Sequence, residues 1–383
     1  MHRPVIVVDD AIAAAREAFA ELGTVNCLPS SRIDASTVAA LDAEVLLVRS
    51  VTRVDADLLE RCPSLGFVGT ATAGTDHLDL AALAARGIAA ASAPGCNARA
   101  VAEWVLAALT FTEQARACAP AGPVGLVGLG NVGARLSALL LALGYEVLGC
   151  DPPLARSGRP CPAPLVEFDE LWRRCSIVSF HVPLVVDGPD ATRAYIERRA
   201  PALAGPKLLI NTSRGPVVRD RTLDRADIGA MILDVWDGEP DLSPARLSDP
   251  RLLLASPHVA GYSLEAKIAG TRMIHEALSA HLGRPPSWTG AKLLPPQPLT
   301  APLQGSSTAA RASLVARVVD LNRDDARVRA LAKLEPPARP RAFEALRREY
   351  QLRREFRSWV ISPARARDPE LERWLQTAGF SLG

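Results

Sequence analysis

Six residues constrain this chain more than any others: Gly128-Leu129-Gly130-Asn131-Val132-Gly133. An apolar run, Val124 to Val127, precedes them, and a helix-like stretch, Val132 to Leu143, follows. A glycine turn between a buried strand and a helix start is the phosphate cradle of a dinucleotide-binding βαβ unit. Gly128 permits the tight turn, Gly130 lets the backbone approach a pyrophosphate, and Gly133 lets helix and strand pack closely. Asn131 and Val132 open the helix, whose unpaired N–H groups and positive dipole end suit phosphates. Asp151 lies 18 residues past Gly133, at the end of the next strand run, EVLGCD. A carboxylate there binds ribose hydroxyls and repels a 2′-phosphate, which predicts NAD rather than NADP. Arg156 and Arg159 follow it and are the opposing signal.

The rhythm around this unit predicts α/β architecture. Short β-rich runs at 5–10, 44–50, 66–72 and 87–93 alternate with helix-like stretches such as Asp79 to Arg86. After a long amphipathic segment at 98–116 the rhythm restarts at 123–151. It continues through 176–183, 207–213, 229–236 and 252–258. Strand–helix alternation of this kind reads as parallel sheet with crossover helices, here in two nucleotide-fold-like lobes around a cleft. Residues 283–306 hold six prolines and three glycines and read as a linker without regular structure. Residues 307–383 carry 15 Arg and one Lys against ten acids, a net of +6, which leaves −4 for the rest of the chain. Helices are predicted there at 308–321 and 341–357, the second with Phe343, Leu346 and Tyr350 on one apolar face.

Composition excludes several classes. The formal charge of the 383-residue chain is only +2, against the basic excess of a nucleic-acid binder. No apolar run reaches spanning length, and acids interrupt the N-terminus where a signal peptide needs an apolar core. A cytoplasmic protein with no nucleic-acid or membrane partner is expected. The seven cysteines form no C-x-x-C pair, so reduced thiols and no metal are expected.

Three strand ends carry reactive groups: Asn211-Thr212-Ser213-Arg214-Gly215, Asp234 to Pro240 with Glu239, and Ser256 to Tyr262 with His258. Ligands of open α/β sheets bind at such ends. A histidine takes a hydroxyl proton near neutral pH, a neighbouring carboxylate orients it, and an arginine clamps a substrate carboxylate at two points. His181, at another strand end, reads as lining a cofactor cleft, and His77 as a loop residue.

With GLGNVG, NTSRG, LDVWDGEP and SPHVAGY together, the chain resembles the NAD-dependent D-2-hydroxyacid dehydrogenase family. The resemblance implies catalysis by Arg214, Glu239 and His258. It implies a substrate-binding lobe at 1–98 and 259–284 and an NAD-binding Rossmann lobe at 99–258. A closer likeness, to a branch of that family, rests on VRSVT, GTATAGTDHLD, APGCNARAVAEW, HVAGYSLEAKIAGT and the stretch beyond the linker. It implies an α+β dimerisation domain at 285–383, with the linker at 285–306, and a homodimer. It places Ser50, Thr72 and Tyr262 at the substrate, joined by Arg49 and the amides around Gly74 as partners for a phosphate. Asp151, Val182, Asp234 and Gly261 fall at cofactor positions, Val182 where relatives often carry Thr. The reaction implied is NAD-dependent oxidation of 4-phospho-D-erythronate on the route to pyridoxal 5′-phosphate. The alternatives are another 2-hydroxyacid dehydrogenase, such as one acting on 3-phosphoglycerate, and a non-catalytic NAD-sensing protein. The basic tail adds an expectation: one or more of Arg347, Arg348, Arg353 and Arg354 reach the substrate phosphate.

Overall fold

The computed structural model describes residues 2–116, 122–201, 204–299, 307–362 and 368–383. The chain divides into two compact units, Met1–Asn97 with Ser263–Pro295, and Ala98–Tyr262 with Pro296–Gly383.

The first unit holds β1 (Val5–Asp9), β2 (Thr24–Leu28), β3 (Val45–Val48), β4 (Phe67–Thr70) and β5 (Ala89–Ala91). They form one parallel sheet in the order β2-β1-β3-β4-β5. The three central strands, VIVVD, VLLV and FVGT, are buried along almost their whole length because both faces are covered. The helix Leu264–His281 closes one face, with Ile274 and Leu278 packed in the cluster of Ile6, Val8, Phe19 and Leu47. Ser263 caps its start by accepting the Ala266 N–H at 3.0 Å. The sequence pattern does not disclose β2, whose TVNCL run is an edge strand and only half-buried.

The second unit is built on β6 (Val124–Val127), β7 (Val147–Cys150), β8 (Ile177–Phe180), β9 (Lys207–Asn211), β10 (Ile228–Leu233) and β11 (Leu252–Ala255). All are parallel, in the order β11-β10-β9-β8-β6-β7. The chain leaves β6 toward one edge and returns to its other side, so the switch point falls beside the glycine turn. The helix Ala98–Arg116 is buried along most of its described length, Trp104 completely.

Among the described residues the C-terminal stretch adds four α-helices, Ser307–Val318, Leu321–Ala330, Ala338–Arg348 and Pro369–Ala378. It also contributes to a small parallel sheet of β12 (Gln297–Leu299), β13 (Trp359–Ile361) and β14 (Ser381–Leu382). Two expectations are corrected here. The Pro-rich linker is not wholly irregular, because Pro298 lies in β12, an edge strand, where a missing N–H is tolerated. The helix predicted over 341–357 stops at Arg348. Beyond it the chain turns inward: Arg353, Arg354 and Glu355 are buried, and one Arg353 Nη2 donates to the Ala100 and Ala260 carbonyls, each at 2.6 Å.

The segment read from sequence as a third domain shares its core with the second unit. Leu314, Phe356, Leu375 and Phe380 lie in one buried cluster with Trp104, Leu126 and Leu136. The helix Leu321–Ala330 covers the free edge of β11. The Asp325 carboxylate accepts the Ala255 N–H at 2.8 Å, and Arg329 donates to the Leu252 carbonyl at 2.5 Å. That arrangement removes an exposed sheet edge.

Candidate active site

The glycine turn has the shape the sequence requires. Gly128 sits at φ +88°, and a Cβ there would meet the Val182 side chain at 2.6 Å and the His181 carbonyl at 2.8 Å. A Cβ on Gly133 would lie 1.9 Å from the Gly128 oxygen, so only glycine lets the helix Asn131–Ala142 approach its strand this closely. Around Gly130 the reverse holds: an added Cβ would meet nothing within 4 Å. An exposed, glycine-floored helix start fits a pyrophosphate. Asp151 holds the turn from the next strand end, its Oδ2 accepting the Leu129 N–H at 2.7 Å and its Oδ1 the Leu154 N–H at 2.9 Å. Arg156, one of the two opposing cations, is engaged by Asp190 at 2.5 Å. Arg159, the other, is exposed and lines the same pocket as Gly130 and Asn131, so the fit to an unphosphorylated ribose rests on Asp151.

Three adjacent strands deliver the chemical groups. Asn211 of β9, Leu233 of β10 and Ala255 of β11 are in register at the carboxyl ends. Arg214 follows the first, Glu239 the second and His258 the third. The Arg214 turn is braced by Asn211, whose side chain accepts from Ser213 and donates to the Arg214 carbonyl at 3.1 Å. A Cβ on Gly215 would lie 1.8 Å from the Trp236 oxygen, so the turn after β9 rests directly on the loop after β10.

His258 and Glu239 form the centre. The ring Nδ1 and the Glu239 Oε1 are 2.7 Å apart, and both side chains are about a quarter exposed. His258 adopts φ +59°, a left-handed conformation uncommon for a residue with a Cβ. Asp234 supports it: the His258 N–H donates to the Asp234 carbonyl at 2.7 Å. The buried Asp234 Oδ1 accepts from the Ser256 hydroxyl and the N–H groups of Val259 and Ala260. Those three bonds are an architectural duty of Asp234 that sequence reasoning missed. Burial lifts its carboxyl above the ordinary range, against the pull of His258 and of these bonds. For Glu239 burial also pushes upward, but the charge and hydrogen bond of His258, with the charge of Arg347, outweigh it. The net shift is downward, and the group is a carboxylate at neutral pH.

The other expected residues are distributed as follows. Gly261 and Tyr262 continue the His258 loop, and the Tyr262 ring meets Tyr350 edge-on, with centroids 5.9 Å apart. Val182 packs against Gly128, and His181 touches Ser179 and Thr212, its imidazole pushed down to about 3 by burial and therefore neutral. In the first unit, Arg49 and Ser50 follow β3 and Thr72 follows β4. Val48 and Thr70, the last residues of these strands, are paired in register. Thr72 donates to the Gly74 carbonyl at 2.9 Å, and His77 bonds Thr70 at 3.0 Å. Of the four tail arginines, Arg353 and Arg354 are buried inside the second unit and Arg348 is exposed, while Arg347 acts electrostatically on Glu239.

Hydride chemistry needs a dinucleotide cradle and a proton-handling pair on one scaffold, and the second unit carries both on its strand ends. The class is a nicotinamide-dependent oxidoreductase. The chain belongs to the family of D-isomer specific 2-hydroxyacid dehydrogenases, whose catalytic-domain description it matches over residues 5–320. Residues 293–379 match a domain of unknown function, DUF3410. The erythronate-4-phosphate dehydrogenase of Salinibacter ruber is 41% identical over 375 residues, covering 93% of both chains. That of Aeromonas hydrophila subsp. hydrophila is 42% identical over 363 residues, 92% of this chain and 94% of the relative. The D-lactate dehydrogenase from Aquifex aeolicus, solved with NAD and lactic acid, has the same fold. Its TM-score is 0.58 at 22% identity, over 73% of this chain and 95% of that one.

Proposed function

We propose that this enzyme oxidises 4-phospho-D-erythronate to 2-oxo-3-hydroxy-4-phosphobutanoate with NAD, as a step toward pyridoxal 5′-phosphate. The observation that carries the chemistry is the 2.7 Å contact between His258 Nδ1 and Glu239. With Nδ1 committed, Nε2 is the ring atom left to take the C2 hydroxyl proton. Glu239, held as a carboxylate, orients the ring and stabilises the imidazolium that forms. Arg214 grips the substrate carboxylate and polarises the C2 oxygen. Bound NAD supplies the hydride acceptor. Gly128, Gly130, Asn131, Val132 and Gly133 hold its pyrophosphate and Asp151 its adenine ribose; Val182, Asp234 and Gly261 complete the cofactor set. Arg49, Ser50, Thr72, Gly74 and Tyr262 are assigned to the substrate. The phosphorylated substrate is supported by the names of relatives about 40% identical over more than 90% of the chain. The enzyme acts as a cytoplasmic homodimer, which sedimentation equilibrium tests directly as a single species of twice the chain mass.

The deciding assay compares 4-phosphoerythronate with 3-phosphoglycerate, each with NAD and a 2-oxo acid acceptor, and scores kcat/KM. A preference of several orders of magnitude for 4-phosphoerythronate is expected. Preference for 3-phosphoglycerate overturns the substrate and keeps the mechanism. Turnover of neither, with NAD still bound, overturns both.

A further inference from the structure

The C-terminal module grips the two loops that carry the catalytic pair. On the Glu239 loop, Arg339 Nε lies 3.1 Å from Asp241, and the wholly buried Phe343 shares a cluster with Trp236 and Leu242. On the His258 loop, Arg353 holds the Ala260 carbonyl and Tyr350 stands edge-on to Tyr262. Arg347 lies between these anchors, one helical turn past Phe343. Its Nε is buried and makes no hydrogen bond. Glu239 presents the matching feature: Oε1 is used by His258, while the buried Oε2 has no hydrogen-bond partner.

We propose that Arg347 is a positioning residue of the catalytic pair, its guanidinium acting through space on the free edge of Glu239. The DUF3410 module is thereby a working part of the active site. The inference rests on the dehydrogenase reading above and assigns a role that the two-lobed fold alone does not contain.

The electrostatic logic fixes the sign. Of the other charged groups around the pair, Arg339 is paired with Asp241, Arg219 with Asp237 at 2.7 Å, and Asp324 is bonded to Tyr350; Arg214, on the adjoining turn after β9, is a second cation, assigned above to the substrate side. Asp234, also close to His258, is buried and raised by that burial. Arg347 is thus the cation that biases Glu239 from the tail side. Removing a cation makes protonation of the pair easier, so the titration of the pair moves to higher pH.

The test uses Arg347→Gln, Arg347→Met, Arg347→Lys and, as a control, Arg341→Gln on the exposed side of the same helix. The titration of the pair is followed at the His258 Cε1 proton by NMR, assigned with His258→Asn, and kcat and KM are measured across pH. Expected is an upward shift of the midpoint and of the acid limb of kcat/KM by about half to one pH unit in the Gln and Met variants. On that acid limb kcat falls about three- to tenfold at a given pH with KM unchanged. Lys restores both, and Arg341→Gln changes neither. A large rise in KM with midpoint and limb in place overturns the proposal and makes Arg347 a substrate contact; no change in any readout also overturns it. The NMR titration needs no substrate, so it decides the role of Arg347 even if the substrate assignment fails.

Discussion

At the scale of single residues, the catalytic pair makes a specific demand. In the proposed mechanism Glu239 matters through charge, because its Oε1 holds a ring nitrogen and its carboxylate would balance the imidazolium. Glu239→Gln keeps the shape and removes the charge. It is expected to lower kcat by about a hundredfold while leaving NAD affinity, read by fluorescence quenching, within about twofold. An unchanged kcat would show that the ring needs only alignment. The candidate catalytic residues stood out in the sequence because three motifs close strands with Arg, Glu and His, and the structure places those residues after β9, β10 and β11. The supporting bonds were less legible. Nothing in the spacing of Asp234 tells that one of its oxygens gathers three donors from the His258 loop, since that depends on where β10 and β11 end relative to one another.

At the scale of elements, two glycines illustrate opposite constraints. Gly215→Ala forces a Cβ to within 1.8 Å of the Trp236 oxygen and must push the Arg214 turn away from the Glu239 loop. It is expected to cost about 2 kcal/mol of stability and to lower kcat. Gly130→Ala meets no neighbour and should leave the melting temperature unchanged while weakening NAD binding. Denaturant unfolding and NAD titration on both variants check the contrast, and equal stability losses would refute it. Strands buried on both faces were visible as apolar runs, and the helix Ala98–Arg116 was located by its pattern. Edge strand β2 was not, because a half-buried strand of mixed residues carries no such run. The helix Leu321–Ala330 was missed for a related reason: its LNRDDARVRA sequence is dominated by charges that cover β11 rather than by an apolar face.

At the scale of the whole molecule, the second unit and its tail are joined through buried charge as well as apolar packing. Glu103, on the long helix, accepts the Phe356 N–H at 2.9 Å and lies near Glu355, Arg353 and Arg99. Burial, reinforced by Glu355, pushes its carboxyl from an ordinary 4.5 up to about 8. Between those values the folded chain holds a proton that the unfolded chain has released. The contribution of Glu103 to stability is therefore complete below the lower value and is lost as pH rises through the upper one. Glu103→Gln removes this dependence, so its melting temperature should gain on the parent steadily from pH 5 to pH 8. The difference should reach at least about 1 kcal/mol at the top of the range. A constant difference across that range would mean that the proton is not held there. The sequence showed a basic tail of net +6 but not that several of those arginines turn inward, because burial of charge depends on partners far away in the chain.

The clasp of Arg353 on the Ala260 carbonyl joins residues 93 positions apart, and the Glu103–Phe356 bond spans 253. A ribosome adds about 5–20 residues each second, so Ala260 is made several seconds before the arginine that will hold it. Throughout that interval the nascent polypeptide has His258 but not its clasp, and Glu103 has yet to meet the Phe356 N–H. On the proposed mechanism competence is therefore acquired late in translation, and a chain released before Arg353 carries Arg214, Glu239 and His258 without the clasp on the His258 loop.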